Sequence, residues 1–430
     1  MKIKVTEKSF KDVLKLEGAK HIKPLKQSRF LRWLIKVLSA KELKETGFSY
    51  ISEGMNKLGK KEPCLILMNH SSFTDLQIIG TVFSDRSYHI VCTNDGFVGK
   101  GLLMRRVGCI PTKKFIPEAV LIKDMKYALT KLKSSVVMYP EASYSFDGSE
   151  TPLPESLGKC LKLLGVPVVM VKTQGAFLRD PLYNGLKKRK TKVSAIVRYL
   201  LTPEEIKEKS PEELNAKLTE AFKYDHFRAQ HEAGVLIKEP FRAEGLHRVL
   251  YKCPDCMAEG CMEGKGIYIR CCNCGSLYEL KEDGTLEGQK EKTKFSYITD
   301  WYKWERECVK EELLNAKYRL STDVDIMVLV DEKSMYHVGE GHLTHDLTGF
   351  TLTGCNGELS YHQSGSASYS LYADYFWYEI GDVISIGDNK MQYYCFPKEK
   401  EGSNVAKARL AAEELFRLKN SEKGIKSFTS

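Results

Sequence analysis

A chain of 430 residues with a formal net charge of +10 is long enough to bury a sizeable core and to divide into two or three domains. Its 13 cysteines, an odd number, point to a reducing cytosol and away from a disulfide scaffold, and the positive balance suits an anionic partner: membrane lipid, a phosphorylated substrate, an acidic carrier protein or nucleic acid. No stretch reaches the roughly 18 apolar residues of a membrane span, and the opening MKIKVTEKSFKD lacks the apolar centre of a secretory signal.

The first strong periodicity covers residues 28–38. At the helical angle, Arg29, Arg32 and Lys36 share one narrow stripe, while Phe30, Leu31, Trp33, Leu34, Val37 and Leu38 fill the wide arc. Such a helix is about 15 Å long, too short to cross a bilayer. It either packs on the domain core or lies in a membrane interface with its basic stripe near lipid phosphates.

Residues 63–68 (PCLILM) read as a short buried strand that ends in the polar turn Asn69-His70-Ser71-Ser72, with a helix over 76–83. An imidazole on the turn and the carboxylate of Asp75 in the first helical turn can pair, so that Asp75 orients His70 as a general base. Ser72 and Asp75 also fit a helix capping box, a purely structural use of the same residues. Further on, residues 87–92, 136–139, 166–172 and 192–200 read as strands, and 117–132 and 154–164 as helices. This alternation predicts an α/β sandwich around a mostly parallel sheet, with the site at the strand ends.

Three further segments follow the first in a fixed order: residues 99–115 (GKGLLMRRVGCIPTKKF), 136–148 (VVMYPEASYSFDG) and 165–177 (GVPVVMVKTQGAF). Together the four blocks, across about residues 45–245, resemble the 1-acylglycerol-3-phosphate acyltransferase (lysophospholipid acyltransferase) family. The resemblance implies transfer of a fatty acyl group from acyl-CoA or acyl carrier protein to the hydroxyl of a lysolipid acceptor in phospholipid biosynthesis. His70 and Asp75 would be catalytic, and Asn69, Lys113, Lys114, Glu141 and Tyr144 would bind substrate. Transfer would be direct, because no Ser or Cys sits in a G-x-S-x-G elbow. The third block departs from the family: Tyr139-Pro140-Glu141 is intact, but Ala142, Ser143 and Tyr144 stand where Gly, Thr and Arg are expected. A guanidinium clamps phosphate bidentately and a phenol does not. Either Lys113, Lys114, Arg105 or Arg106 serves the phosphate, or the acceptor carries none there.

Cys253-Pro254-Asp255-Cys256 and, 14 residues later, Cys271-Cys272-Asn273-Cys274-Gly275 can each donate two thiolates to one tetrahedral zinc. The expected ligands are Cys253, Cys256, Cys271 and Cys274, with Cys261 and Cys272 left over, and the segment resembles a zinc ribbon. A closed four-cysteine site implies a structural metal. Zinc ribbons often bind nucleic acid, so a nucleic-acid or protein interaction module with a degraded enzyme domain is the rival reading. Against it, the ribbon loops MAEGCMEGKG and ELKEDGTLEG are neither basic nor aromatic, and no nucleic-acid partner is expected.

Residues 291–320 read as a charged helical connector. Alternating runs at 325–330, 349–354, 376–380 and 392–396 read as strands, and 404–418 as a closing helix. This region looks like the pleckstrin-homology class, while His337, His342 and His345 read as strand or turn residues. The expected organisation is an amphipathic segment at 1–45, an acyltransferase domain at 46–245, a zinc ribbon at 246–290, a connector at 291–321 and a β-rich domain at 322–430. The expected setting is cytoplasmic, peripheral or monotopic on the inner membrane face, with the membrane lipid surface as a partner.

Overall fold

The computed structural model describes residues 2–116, 118–289, 294–398 and 403–428. Pro117, at the head of one expected helix, and residues 291–293 of the expected connector lie outside the described residues. The chain forms two compact units, one of residues 20–181 and 187–237, the other of residues 1–19, 182–186 and 238–430.

The first unit is built on a seven-stranded sheet. In chain order its strands are Ser49–Glu53, Leu65–Met68, Tyr88–Thr93, Cys109–Thr112, Ser135–Met138, Val168–Gln174 and Ser194–Leu201, and in space they run first, seventh, sixth, second, fifth, third, fourth. Every neighbouring pair is parallel except Val168–Gln174 with Ser194–Leu201. Side chains alternate between two cores, as a strand's two-residue period requires. Leu65, Leu67, Val136, Val168 and Met170 pack with helices Ala119–Thr130, Leu157–Leu164 and Pro211–Phe222. Ile66, Met68, Val137, Val169 and Val171 pack with helix Thr74–Val82 on the other face. Both faces are covered, which explains why these strands read as continuous apolar runs.

Five of the seven strands lie where the sequence predicts them, whereas strands Ser49–Glu53 and Cys109–Thr112 and helix Pro211–Phe222 are additions the structure makes. Helix Arg29–Glu45 runs seven residues past the expected stop at 38. It packs against helix Thr74–Val82 where Ile35 faces Gly80; a β-carbon on Gly80 would come within 2.7 Å of Ile35. Phe30, Trp33, Val37 and Leu38 remain exposed at 64, 57, 47 and 69 %. Among the described residues no helix is long and apolar enough to cross a membrane.

In the second unit a small four-stranded antiparallel sheet carries the cysteine knuckles. Its buried Tyr278 meets Trp301 of helix Ile298–Leu314 edge-on at 4.9 Å, and Trp301 Nε1–H donates to the carbonyl of Lys252 at 3.0 Å. A ring of four charges adds to this: Lys252 reaches Glu259 and Glu312 at 3.0 and 3.3 Å, and Lys407 reaches the same two at 2.7 and 2.8 Å. The larger antiparallel sheet has seven strands in chain order: Leu320–Leu329, Met335–Asp346, Gly349–Gly354, Leu359–Ser364, Tyr372–Trp377, Gly381–Gly387 and Gln392–Pro397. Their spatial order is fourth, third, second, first, seventh, sixth, fifth, and helix Ser403–Phe428 follows. Strand Val5–Glu7 joins this sheet in parallel beside Met335–Asp346. The strand expected over 376–380 begins and ends earlier, because Phe376, Tyr378 and Glu379 adopt positive φ and turn the chain into the next strand.

Candidate active site

The four blocks meet at the carboxyl ends of the parallel strands. Leu65–Met68 delivers Asn69 and His70, Cys109–Thr112 delivers Lys113 and Lys114, Ser135–Met138 leads to Glu141 and Tyr144, and Val168–Gln174 ends on Thr173 and Gln174. In open α/β sheets this is where loops converge and sites form. Gly108 of the second block has φ 106°, and a β-carbon there would meet the Tyr88 carbonyl at 2.8 Å, so this tight entry into strand Cys109–Thr112 requires glycine.

His70 Nδ1 lies 3.0 Å from Asp75 Oδ2. The same oxygen accepts the backbone N–H of Ser71 at 2.9 Å and of Ser72 at 3.2 Å. The full capping box does not form, since helix Thr74–Val82 starts after Phe73 with no side-chain cap; the one buried carboxylate oxygen orients the imidazole and ties down the turn before the helix. With Nδ1–H donated to Asp75, Nε2 is the nitrogen left to accept a proton. Burial pushes His70 below the ordinary histidine pKa; the hydrogen bond and charge of Asp75 pull it back up, and the charge of Lys114 adds to the lowering. The imidazole is thus neutral at neutral pH, as a base must be. Two phenol rings lie against it, Tyr144 at 4.1 Å and Tyr139 at 4.3 Å between centroids.

The surrounding loops are fixed by side chains that face inward. Glu141, 3 % exposed, accepts the His70 N–H at 2.8 Å through one oxygen and the Thr151 N–H at 2.9 Å through the other. Asn69, 5 % exposed, accepts the Thr173 N–H at 2.8 Å and donates to Ser71 Oγ at 3.0 Å. Both residues hold the His70 turn from either side. Lys113 pairs with Glu118 at 3.8 Å, whereas the charge of Lys114 reaches both His70 and Cys92. Arg105 is buried over the Phe97 ring at 5.0 Å, and Arg106 is exposed. Ala142 occupies the left-handed region at φ 57°, where the family's glycine would rest without strain. Ala142→Gly is expected to stabilise the unit by about 1 kcal/mol, measured as a shift in the denaturant midpoint at constant slope.

Three neighbours were not legible in the sequence. Tyr139 stood in the third block without a role. His226, buried against Phe177 and Tyr224, places Nε2 3.4 Å from Ser71 Oγ, and burial holds its pKa down at about 3. Asp180 is also buried, with Oδ1 lacking a hydrogen-bond partner, and burial pushes its carboxyl up to about 7. His226 opens the short helix His226–Glu232 and Asp180 follows the short segment Ala176–Arg179, and neither stretch has a periodicity or spacing that could have marked them.

The four expected metal ligands come together: Sγ atoms of Cys253, Cys256, Cys271 and Cys274 all lie within 4.8 Å of one another. Two of the separations, Cys253 to Cys274 and Cys256 to Cys271, are 3.7 Å. A tetrahedron with metal–sulfur bonds of about 2.3 Å has edges of about 3.8 Å, so the thiols fit one metal ion such as zinc. Met257 at φ 65° and Gly275 at φ 75° make the bend after each pair. Cys261 and Cys272 stand outside the group and meet through their backbones, Cys272 N–H donating to the Cys261 carbonyl.

A second histidine network lies on the large antiparallel sheet. His342 Nε2 is 2.8 Å from Ser321 Oγ and its Nδ1 is 2.8 Å from Asp323. The order of groups is that of a hydrolytic triad, but the His342 and Asp323 side chains are 42 and 74 % exposed, so water screens the pair and it reads as a surface network. His345, by contrast, is fully buried, stacked on Phe350 at 3.7 Å and bonded to Tyr318 at 3.0 Å.

No curated protein matches the chain. Among solved structures, the 1-acyl-sn-glycerophosphate (LPA) acyltransferase PlsC from Thermotoga maritima is similar at 19 % identity, covering 45 % of this chain and 78 % of that chain with a TM-score of 0.34. Residues 49–173, which contain the His70–Asp75 pair, Lys114 and Glu141, match the family model described as Acyltransferase, and the chain carries an acyltransferase domain there.

Proposed function

We propose that the chain transfers a fatty acyl group from a thioester, acyl-CoA or acyl carrier protein, to the hydroxyl of a lysophospholipid such as 1-acylglycerol-3-phosphate. The observation that carries this reading is the His70 Nδ1–Asp75 Oδ2 contact of 3.0 Å inside the segment matched by the acyltransferase family. His70 Nε2 takes the proton of the acceptor hydroxyl as its oxygen attacks the thioester carbonyl. The tetrahedral oxyanion collapses, the C–S bond breaks, and the imidazolium returns the proton to the departing thiolate. The charge of Asp75 supports the imidazolium between those two transfers. Lys114, whose field already reaches the imidazole, supplies positive charge for the oxyanion or an acceptor phosphate.

Tyr144 against the imidazole favours a second reading of the acceptor, in which no phosphate occupies the place of the family's Arg. Parallel assays with lysophosphatidate and with an uncharged monoacylglycerol separate the two. Tyr144→Arg is expected to improve kcat/KM for lysophosphatidate about tenfold, the worth of one charge-assisted hydrogen bond, and to leave the uncharged acceptor unimproved. Equal effects on both acceptors would remove Tyr144 from headgroup recognition, and no acyl product from any thioester donor would end the proposal.

In this reading helix Arg29–Glu45 is the interfacial element: exposed Phe30, Trp33, Val37 and Leu38 meet acyl chains, and the enzyme works peripherally on the inner membrane face. Residues 46–245 are the acyltransferase domain. A structural zinc held by Cys253, Cys256, Cys271 and Cys274 organises a ribbon at 246–290, followed by the connector at 291–321. The sheet order of residues 322–430, with a helix at its end, supports a pleckstrin-homology-like module whose task is contact with a partner or membrane.

A further inference from the structure

His226 is 4 % exposed, with its ring 5.3 Å from Phe177 and edge-on to Tyr224 at 4.7 Å between centroids. Between these rings its Nδ1 is buried without a hydrogen-bond partner, and its Nε2 lies 3.4 Å from Ser71 Oγ. Ser71 directly follows His70. Its hydroxyl oxygen accepts Asn69 Nδ2–H at 3.0 Å, and its backbone N–H donates to Asp75 Oδ2 at 2.9 Å. With one lone pair taken by Asn69, the Ser71 hydroxyl hydrogen is free to bond His226 Nε2. The backbone around His226 makes a second tie. His226 N–H donates to the Gly148 carbonyl at 2.9 Å, and Asp225 pairs with Ser149 in an antiparallel bridge. Ser145, in the same block, donates its N–H to the His70 carbonyl at 3.2 Å. Its hydroxyl accepts Gly148 N–H at 3.0 Å and donates to the Ser149 carbonyl at 2.6 Å. His226 therefore reaches the His70 turn by two routes, through the Ser71 side chain and through the backbone of residues 145–149.

We propose that His226 is a positioning residue that, through its bond to Ser71 Oγ, closes this circuit and holds the turn at residues 69–72 where His70 Nδ1 meets Asp75. A protonated ring would bury a charge and an N–H with no acceptor, so the imidazole stays neutral; burial, helped by the charge of Lys172, holds its pKa down at about 3. His226 takes no proton from substrate. Its work is to keep a general base in reach of the acceptor hydroxyl, where a small displacement costs rate. The effect on acyl transfer rests on the acyl-transfer reading; the clamp on the turn does not.

The full chain is compared with H226F, H226Q, S71A and the double variant H226F/S71A. Phenylalanine keeps a ring beside Phe177 and Tyr224 but cannot bond Ser71, whereas glutamine offers an amide in the place of Nε2. With palmitoyl-CoA and lysophosphatidate, H226F should lose about tenfold in kcat with KM within about twofold, and H226Q should recover to within about threefold of wild type. S71A should lose at least as much as H226F, and adding H226F to it should cost less than about twofold more, because the bond is already gone. A ring that only filled space would cost the same in both backgrounds. Amide hydrogen exchange read by mass spectrometry tests the clamp without chemistry: residues 69–75 should exchange faster in H226F and S71A than in wild type or H226Q. Additive losses in the double variant, unchanged exchange over residues 69–75, or an H226Q protein as impaired as H226F would each overturn the proposal. If H226F does not fold, S71A, which removes one hydroxyl, decides: wild-type exchange over residues 69–75 in that variant would overturn the proposal. If no protein, wild type included, transfers an acyl group, the acyl-transfer reading fails, while exchange still decides the clamp.

Discussion

His70→Ala is expected to lower kcat by about 10²–10⁴-fold with little change in melting temperature, the usual loss when a general base is removed. The small stability effect follows from the contacts: the backbone N–H and C=O of residue 70, which tie the turn to Glu141 and Ser145, survive the substitution. Asp75→Asn is the sharper control. An amide oxygen in the place of Oδ2 can still accept the N–H groups of Ser71 and Ser72, so the helix start is kept while the charge behind His70 is lost. A fall of about 10²-fold in that variant, with folding intact, would assign the loss to the charge. A fully active His70→Ala protein, measured as labelled acyl product, would end the catalytic claim.

Zinc removal should produce the largest loss of stability. The ribbon sheet has little apolar core of its own, and structural zinc in isolated fingers is worth on the order of 10 kcal/mol. The purified chain is expected to contain one zinc per molecule, and Cys271→Ser, which replaces a fully buried ligand, to contain none. The variant should melt at a lower temperature, as should wild type treated with a strong chelator, and added zinc should restore only the latter. A metal-free wild type with an unchanged melting curve would remove the metal from the structure.

The parts of this fold that could be read from sequence are those with a local cause. Leu65–Met68 is apolar on both faces because both faces are buried, and the run ends where Asn69 and His70 turn out of the sheet. The cysteine spacing imposed its own geometry. By contrast, strand Ser49–Glu53 was missed because it lies at a sheet edge with four of its five residues exposed, leaving no apolar pattern to detect. The run 376–380 looked like strand because Phe, Trp, Tyr and Ile favour one, yet positive φ at Phe376, Tyr378 and Glu379 turns the chain there; tertiary packing overrode propensity. In the site, the His70–Asp75 pair was visible because five positions span one turn and a half of chain. Asp180 and His226 lie over a hundred positions away, and nothing local tells a buried polar residue from an exposed one.

Strand Val5–Glu7 carries a consequence for how the protein is made. Thr6 and Ser334, 328 positions apart, share a hydrogen bond of 2.7 Å, and the strand's whole ladder is with Met335–Asp346. At ordinary synthesis rates of about 5–20 residues per second, the first strand waits about 15 to 65 s for its partner to be made. During that time the first unit, complete by residue 237, can close on its own, whereas the sheet that holds strand Val5–Glu7 is the last to form.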